Sequence, residues 1–207
     1  MRLRPSRPAR RRRTAYVPLV ALGLVLALGG CSAGADPEPE PEQVQGLTGV
    51  TSYADLSHDH VAGPVDYPQT PPVGGAHWPP QTGSTYGWQR CAVYAEPVVD
   101  EFAVHSLEHG AVWLSHRPGA APEDVQALVA LTEVDPAYVL VSPVPDQPAP
   151  FMATAWGLQL TADTATDPRL RVFTETYAAG GQGGEKGADC ENGATLEQAR
   201  ALLAAAG

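Results

Sequence analysis

The spacing of apolar and polar positions becomes regular from about residue 91 onward and names a series of short elements. Cys91 to Tyr94 reads as a strand. Asp100 to His109 reads as a helix, with Asp100 as its N-cap and Gly110 just past its end. Ala111 to His116 is again strand-like. Pro122 to Val134 carries Val125, Leu128, Val129 and Leu131 at helical spacing behind a proline suited to a first turn. Tyr138 to Val141 and Phe151 to Leu160 read as strands on either side of a proline-rich turn. Asp167 to Ala178 presents Leu170, Phe173 and Tyr177 on one helical face, and Thr195 to Ala205 reads as a short terminal helix. The resulting order is β-α-β-α-β-β-α, which predicts an α+β fold with a small mixed sheet and packed helices.

Upstream the pattern is different. Residues 57–90 are rich in Pro, Gly, His and Trp and lack a period, which predicts a long ordered loop of functional type. Residues 32–46 alternate Pro and Glu, a composition that cannot pack a core and predicts an extended tether. Before it, Arg10 to Arg13 precede an apolar run from Ala15 to Leu28 that ends in Gly29-Gly30-Cys31. That run is too short for a comfortable membrane span but suits the core of a signal peptide. Small residues ahead of a cysteine at this place resemble a bacterial lipobox, so Cys31 is the expected lipidation site. The expected organisation is a signal peptide over 1–30, a lipidated cysteine and tether over 31–49, and one globular domain over 50–207. The protein is then extracytoplasmic, held by lipid on the outer face of the cell membrane. The β-α-β-α-β-β-α order also matches a minimal thioredoxin-like arrangement, although no C-x-x-C accompanies it.

Composition sharpens this reading. Gly and Pro number 21 each among 207 residues, too much punctuation for a helical bundle, coiled coil or solenoid. Seven arginines and no acid fall in residues 1–30, so the rest of the chain carries 6 basic and 23 acidic residues, a net of −17. A body this acidic argues against nucleic-acid binding, which needs clustered Lys and Arg on phosphates. No glycine-rich nucleotide cradle is present, so no nucleotide cofactor is expected. With Cys31 lipidated, Cys91 and Cys190 remain as an even pair outside the cytoplasm, and a disulfide between them is expected.

All six histidines lie between residues 58 and 116. His58 and His60 are two apart, so in an extended segment they project to one side. His105, Glu108 and His109 share one face of a helix. His77 follows Pro71-Pro72-Val73-Gly74-Gly75, where prolines stiffen the chain and glycines permit close approach. Imidazole and carboxylate together suit copper and zinc. The expected ligands are His58, His60, His105 and His109, with His77 and Glu108 at or around the ion. His116 reads as structural and Met152 as core; Trp78, Trp88, Trp113 and Trp156 read as core or lid residues, with Trp78 beside His77 also placed to shield a metal or stack on a cation. A second reading has these histidines only hydrogen-bonding a proline-rich loop to the core. His105 to His109 also spells H-x-x-E-H, the pattern of inverted zinc peptidases, with Glu175 or Glu185 as candidate distant acids. Gly110 would end that helix at once, and a binding protein is favoured over an enzyme.

His58-Asp59-His60-Val61-x-Gly63-Pro64-Val65-x-Tyr67, Gln69-Thr70-Pro71-Pro72-Val73-Gly74-Gly75-x-His77 and His105-Ser106-Leu107-Glu108-His109-Gly110 together resemble an uncharacterised family of exported, often lipid- or membrane-anchored actinobacterial proteins. The resemblance runs from about Tyr53 to Tyr177, and Cys91, Trp156 and Gly157 fit it. Arg90-Cys91-Ala92 stands where such proteins often carry Asn-Cys-Gly. The resemblance implies export and no activity, partner or functional residue. Function at this level divides between a lipid-anchored binder of copper or zinc, a structural or assembly lipoprotein, and a zinc-dependent hydrolase.

Overall fold

The computed structural model describes residues 47–207; the expected signal peptide, the lipidated Cys31 and the tether up to residue 46 lie outside them. Seven strands and four helices follow in order: β1 (Val50–Ser52), β2 (Gln81–Thr82), β3 (Thr85–Tyr86), α1 (Asp100–Glu108), β4 (Val112–His116), α2 (Pro122–Val129), β5 (Val139–Pro143), β6 (Phe151–Ala155), β7 (Leu158–Ala162), α3 (Pro168–Tyr177) and α4 (Leu196–Ala206). Five strands form a mixed sheet in the order β1-β7-β6-β4-β5, and β2 and β3 form a separate ribbon. Only β4 and β5 run parallel, joined through α2; the other pairings are antiparallel. The fold is the mixed-sheet α+β arrangement that the sequence pattern predicts. Among the described residues no helix is long and apolar enough to cross a membrane.

Register explains the layers. Val141, Leu114, Ala153, Leu160 and Val50 stand opposite one another across the sheet, so alternation puts them all on one face. That face packs against Leu128 of α2, Leu131, and Leu170 and Phe173 of α3. Leu47 is buried in the same cluster, so core packing begins ahead of Val50. Trp113 and Leu140 point the other way, onto Ala103, Val104 and Leu107 of α1. Phe102, also from α1, packs with Trp78 and Val99 against Ala199, Leu202 and Leu203 of α4. Lying between sheet and terminal helix, α1 is buried from Glu101 to Glu108.

Several boundaries move for local reasons. Val99, not Asp100, occupies the N-cap of α1, and no side chain caps it. Helix α2 stops at Val129 and tightens into a 3₁₀ turn over Ala130–Glu133, where the Thr132 hydroxyl donates to the Val129 carbonyl. Phe151–Leu160 is not one strand but a hairpin, because Gly157 turns the chain at φ +69°. Cys91–Tyr94 contributes one parallel bridge, Val93 to Val141, on the outer edge of β5.

The ends of α3 and α4 follow the sequence closely. Asp167 caps α3 by accepting from the Arg169 amide, and Thr195 and Gln198 form a reciprocal capping box on α4. Thr195→Ala should therefore cost about 1 kcal/mol, a fall of roughly 2–4 °C in thermal midpoint that calorimetry would register.

Candidate metal centre

Helix α1 supplies the floor of the site. His105 and Glu108 are three apart and fall on one face. His109 is the C-cap, after which the Gly110 amide bonds to the Leu107 carbonyl and the Ala111 amide to the Ser106 carbonyl. This pair of bonds with φ +99° at Gly110 is a Schellman stop, and it passes the chain straight into β4.

The long loop lays two more histidines across that floor. His60 and His77 form a parallel bridge, made by the Val61 amide to the His77 carbonyl at 2.7 Å and the His77 amide to the Asp59 carbonyl at 3.0 Å. Glu101 pins the same loop to α1, its carboxylate accepting from the Val65 amide and its carbonyl from the Trp78 amide.

The donor atoms of His60, His77, His105 and Glu108 lie within 4.8 Å of one another, and those of His105, His109 and Glu185 form a second such group. The sequence expectation centred on His58, His60, His105 and His109. In the structure His77 and Glu108 stand with His60 and His105. His109 stands with Glu185, and His58 lies to one side. Its Nδ1 contacts Glu108 Oε1, and its ring stacks on Trp156 with centroids 4.5 Å apart. Cys91 and Cys190 are joined by a disulfide with Cα atoms 5.2 Å apart. His116 lies at the end of β4, with Nδ1 facing the Arg117 carbonyl. Trp78 stacks on Phe102, and Met152 is fully buried.

Backbone carbonyls fix the state of the rings. Nδ1 of His77 faces the Gly75 carbonyl at 2.8 Å, Nδ1 of His105 the Trp78 carbonyl at 2.7 Å, and Nδ1 of His109 the Asp189 carbonyl at 2.9 Å. A carbonyl can only accept, so each Nδ1 carries a proton and donates it. In the neutral ring Nε2 is then a bare lone pair. His77 Nε2 lies 2.9 Å from Glu108 Oε2, and His109 Nε2 lies 3.0 Å from Glu185 Oε2. His77 Nε2 and Glu108 Oε2 are both buried without a hydrogen-bond partner, as is His105 Nε2. Each unmet buried polar atom costs about 1–3 kcal/mol. Such a contact is relieved either by a proton on Nε2, which makes the pair ionic, or by a metal cation held between the two atoms. Two donors bound at about 2.1 Å and at right angles on one ion are about 3 Å apart, which both pairs match.

Burial, reinforced by His77 and His109 nearby, pushes His105 down to about 3, so its ring is neutral at ordinary pH. Burial alone would push the Glu108 carboxyl up, but the His77 and His58 rings beside it outweigh burial and hold it well below the usual carboxylate range. A neutral imidazole set beside an ionised carboxylate is the state a metal requires. Trp88 closes one side, its ring 4.6 Å from His109 and 5.6 Å from His105, and Trp156 the other, 5.8 Å from His77.

Sequence reading names Glu185 and His77 as candidates but does not fix their places. Glu185 is one of three acids in the aperiodic segment 178–195, and it is set in place by the bond from its amide to the Glu108 carbonyl. His77 is brought inward by its bridge to His60, which no local pattern announces. Of the H-x-x-E-H residues, His105 and His109 stand together with Glu185, while Glu108 stands with His60, His77 and His105.

Residues 58–192 match a family described as "Protein of unknown function (DUF3105)", and the chain belongs to that family. No curated protein and no solved structure matches the chain.

Proposed function

We propose that this member of the DUF3105 family binds one transition-metal ion, copper or zinc, outside the cytoplasm, on a chain lipidated at Cys31 and anchored to the cell membrane. The observation that carries this reading is the convergence of unpartnered Nε2 lone pairs of His77 and His105 on the buried Glu108 carboxylate, with His60 beside them. The backbone bonds at each Nδ1 do what such bonds do in metal sites, fixing tautomer and ring direction. Three nitrogens and one oxygen suit Zn(II) or Cu(II). Both described cysteines are in the disulfide, so no thiolate biases the site towards Cu(I). The disulfide is consistent with an oxidising compartment.

A purely structural role for the histidines accounts for the three Nδ1 bonds but leaves their Nε2 atoms unexplained. A hydrolase based on H-x-x-E-H would hold one ion on His105, His109 and Glu185 with Glu108 as base, but both Glu108 oxygens are engaged, Oε1 with His58 and Oε2 with His77.

Titration calorimetry with Cu(II) and Zn(II) on untagged protein tests the proposal. One ion per chain is expected. His105→Ala/His109→Ala and His77→Ala, checked for folding by circular dichroism, should weaken binding by about 100-fold or more, beyond the roughly 10–100-fold typical of residues around the ligands. Equal binding by wild type and variants, or none by wild type, would establish the structural reading instead.

A further inference from the structure

The two donor groups overlap at His105. Its Nδ1 is committed to the Trp78 carbonyl, so only Nε2 is available, and one lone pair binds one ion. The groups therefore cannot both fill through His105. They describe two positions for a single ion.

Their surroundings differ. In the inner group His77, His105 and Glu108 are buried with His60 exposed at its rim, and four donors complete a closed set. The outer group has three donors, His105, His109 and Glu185, and the Glu185 side chain is 43% exposed. Three protein donors leave a coordination place open to an incoming ligand.

The chain around Glu185 suits a moving carboxylate on a fixed base. The Glu185 amide bonds to the Glu108 carbonyl at 3.3 Å, and Gly183 lies so close to that carbonyl that a Cβ there would approach it to 2.1 Å. The backbone is thus applied to the end of α1, while the side chain faces solvent. Oε2 is 3.0 Å from His109 Nε2 and 3.9 Å from His105 Nε2.

Resting on the metal-binding reading, we infer that the paired groups form a ligand-exchange site, in which Glu185 admits a divalent ion to His105 and releases it to an external chelating donor. In the inward step the bonds from the ion to His109 Nε2 and a Glu185 oxygen break. Bonds to His77 Nε2, a Glu108 oxygen and His60 form, and the bond to His105 Nε2 persists. One carboxylate replaces another, each Nδ1 keeps its proton, and the ion keeps its oxidation state. Outward transfer is the reverse. The function this serves is passage of metal between carriers, since a purely structural ion needs only the closed set.

Stopped-flow mixing of the full chain with Cu(II), followed by Trp88 fluorescence, gives the uptake rate, and EDTA-driven loss of bound Cu(II) gives the release rate. Glu185→Gln keeps the size of the side chain and removes the anionic ligand. It should slow both uptake and release by about 10-fold or more while leaving the dissociation constant within about 10-fold of wild type and the stoichiometry at one. Unchanged rates with wild-type binding intact would overturn the exchange role and leave the metal site standing. So would two ions per chain, or an affinity loss carried by release alone. A wild type that binds no Cu(II) would instead remove the reading on which the inference rests.

Discussion

Loss of the Cys91–Cys190 bond should lower the thermal midpoint by roughly 8–20 °C. The bond spans a sequence separation of 99, and a loop of about that length is worth up to about 4–5 kcal/mol through the entropy it removes from the unfolded chain. At roughly 2–4 °C per kcal/mol for a domain of this size, the shift is large. The variant Cys91→Ser/Cys190→Ser and wild type under reductant should agree in calorimetry. A midpoint within about 2 °C of the oxidised protein, with the bond shown broken by mass spectrometry, would sink the expectation. The effect should reach the site as well. Cys190 adjoins Asp189, whose carbonyl holds Nδ1 of His109, and Cys190 is itself tied by its amide to the Ala137 carbonyl. Metal affinity should fall with the midpoint, by about the 10–100-fold expected when the support of a ligand is loosened.

Acid should destabilise the metal-free protein by about 3 kcal/mol between pH 7 and pH 4, largely through His105. Its folded-state value is depressed from 6.5 to about 3 by burial and by the neighbouring His77 and His109. Above pH 6.5 both folded and unfolded chains hold this ring neutral, and its stabilising contribution is fully present. As pH falls from 6.5 towards 3 the unfolded chain takes up a proton that the native state refuses, so stability is lost across that window. Glu108 acts in the same direction at lower pH. Its carboxyl is depressed in the native state, so its contribution is present above about 4.5 and declines as pH falls towards about 2. Urea denaturation of chelator-treated protein at pH 7, 5.5 and 4 measures this. His105→Gln, which cannot gain the proton, should flatten the slope between 6.5 and 4. A wild-type slope no steeper than that of the variant would remove His105 as its cause.

What the sequence announced was local chemistry. Gly110 marked the end of α1 because a chain leaving a helix at positive φ needs glycine there. Thr195 and Asp167 marked helix starts through caps that need only neighbours a few residues away. The short unbroken apolar runs of β4 and β5 read as strands because both faces of that part of the sheet are covered. The site was legible only in part for the same reason. His105, Glu108 and His109 share a helix, and spacing alone places them together. His58 and His60 follow no strand beyond one bridge, so alternation misplaces His58, which turns to Glu108 and Trp156. Glu185 comes from a glycine-rich segment 77 residues beyond Glu108, where position is set by packing rather than by period.

Strand β5 ends the sheet, and its residues Val139–Pro143 are all buried. Its outer side is occupied by the bonds from the Tyr94 amide to the Val141 carbonyl and from the Val141 amide to the Ala92 carbonyl. One residue from that seam stands Cys91, clasped to Cys190. Where thiols stay reduced, the clasp opens, and release of the adjoining Ala92–Tyr94 segment would uncover an apolar strand edge, a template for pairing with another chain. The same covalent link that steadies the folded protein thereby makes its solubility conditional on the compartment in which it matures.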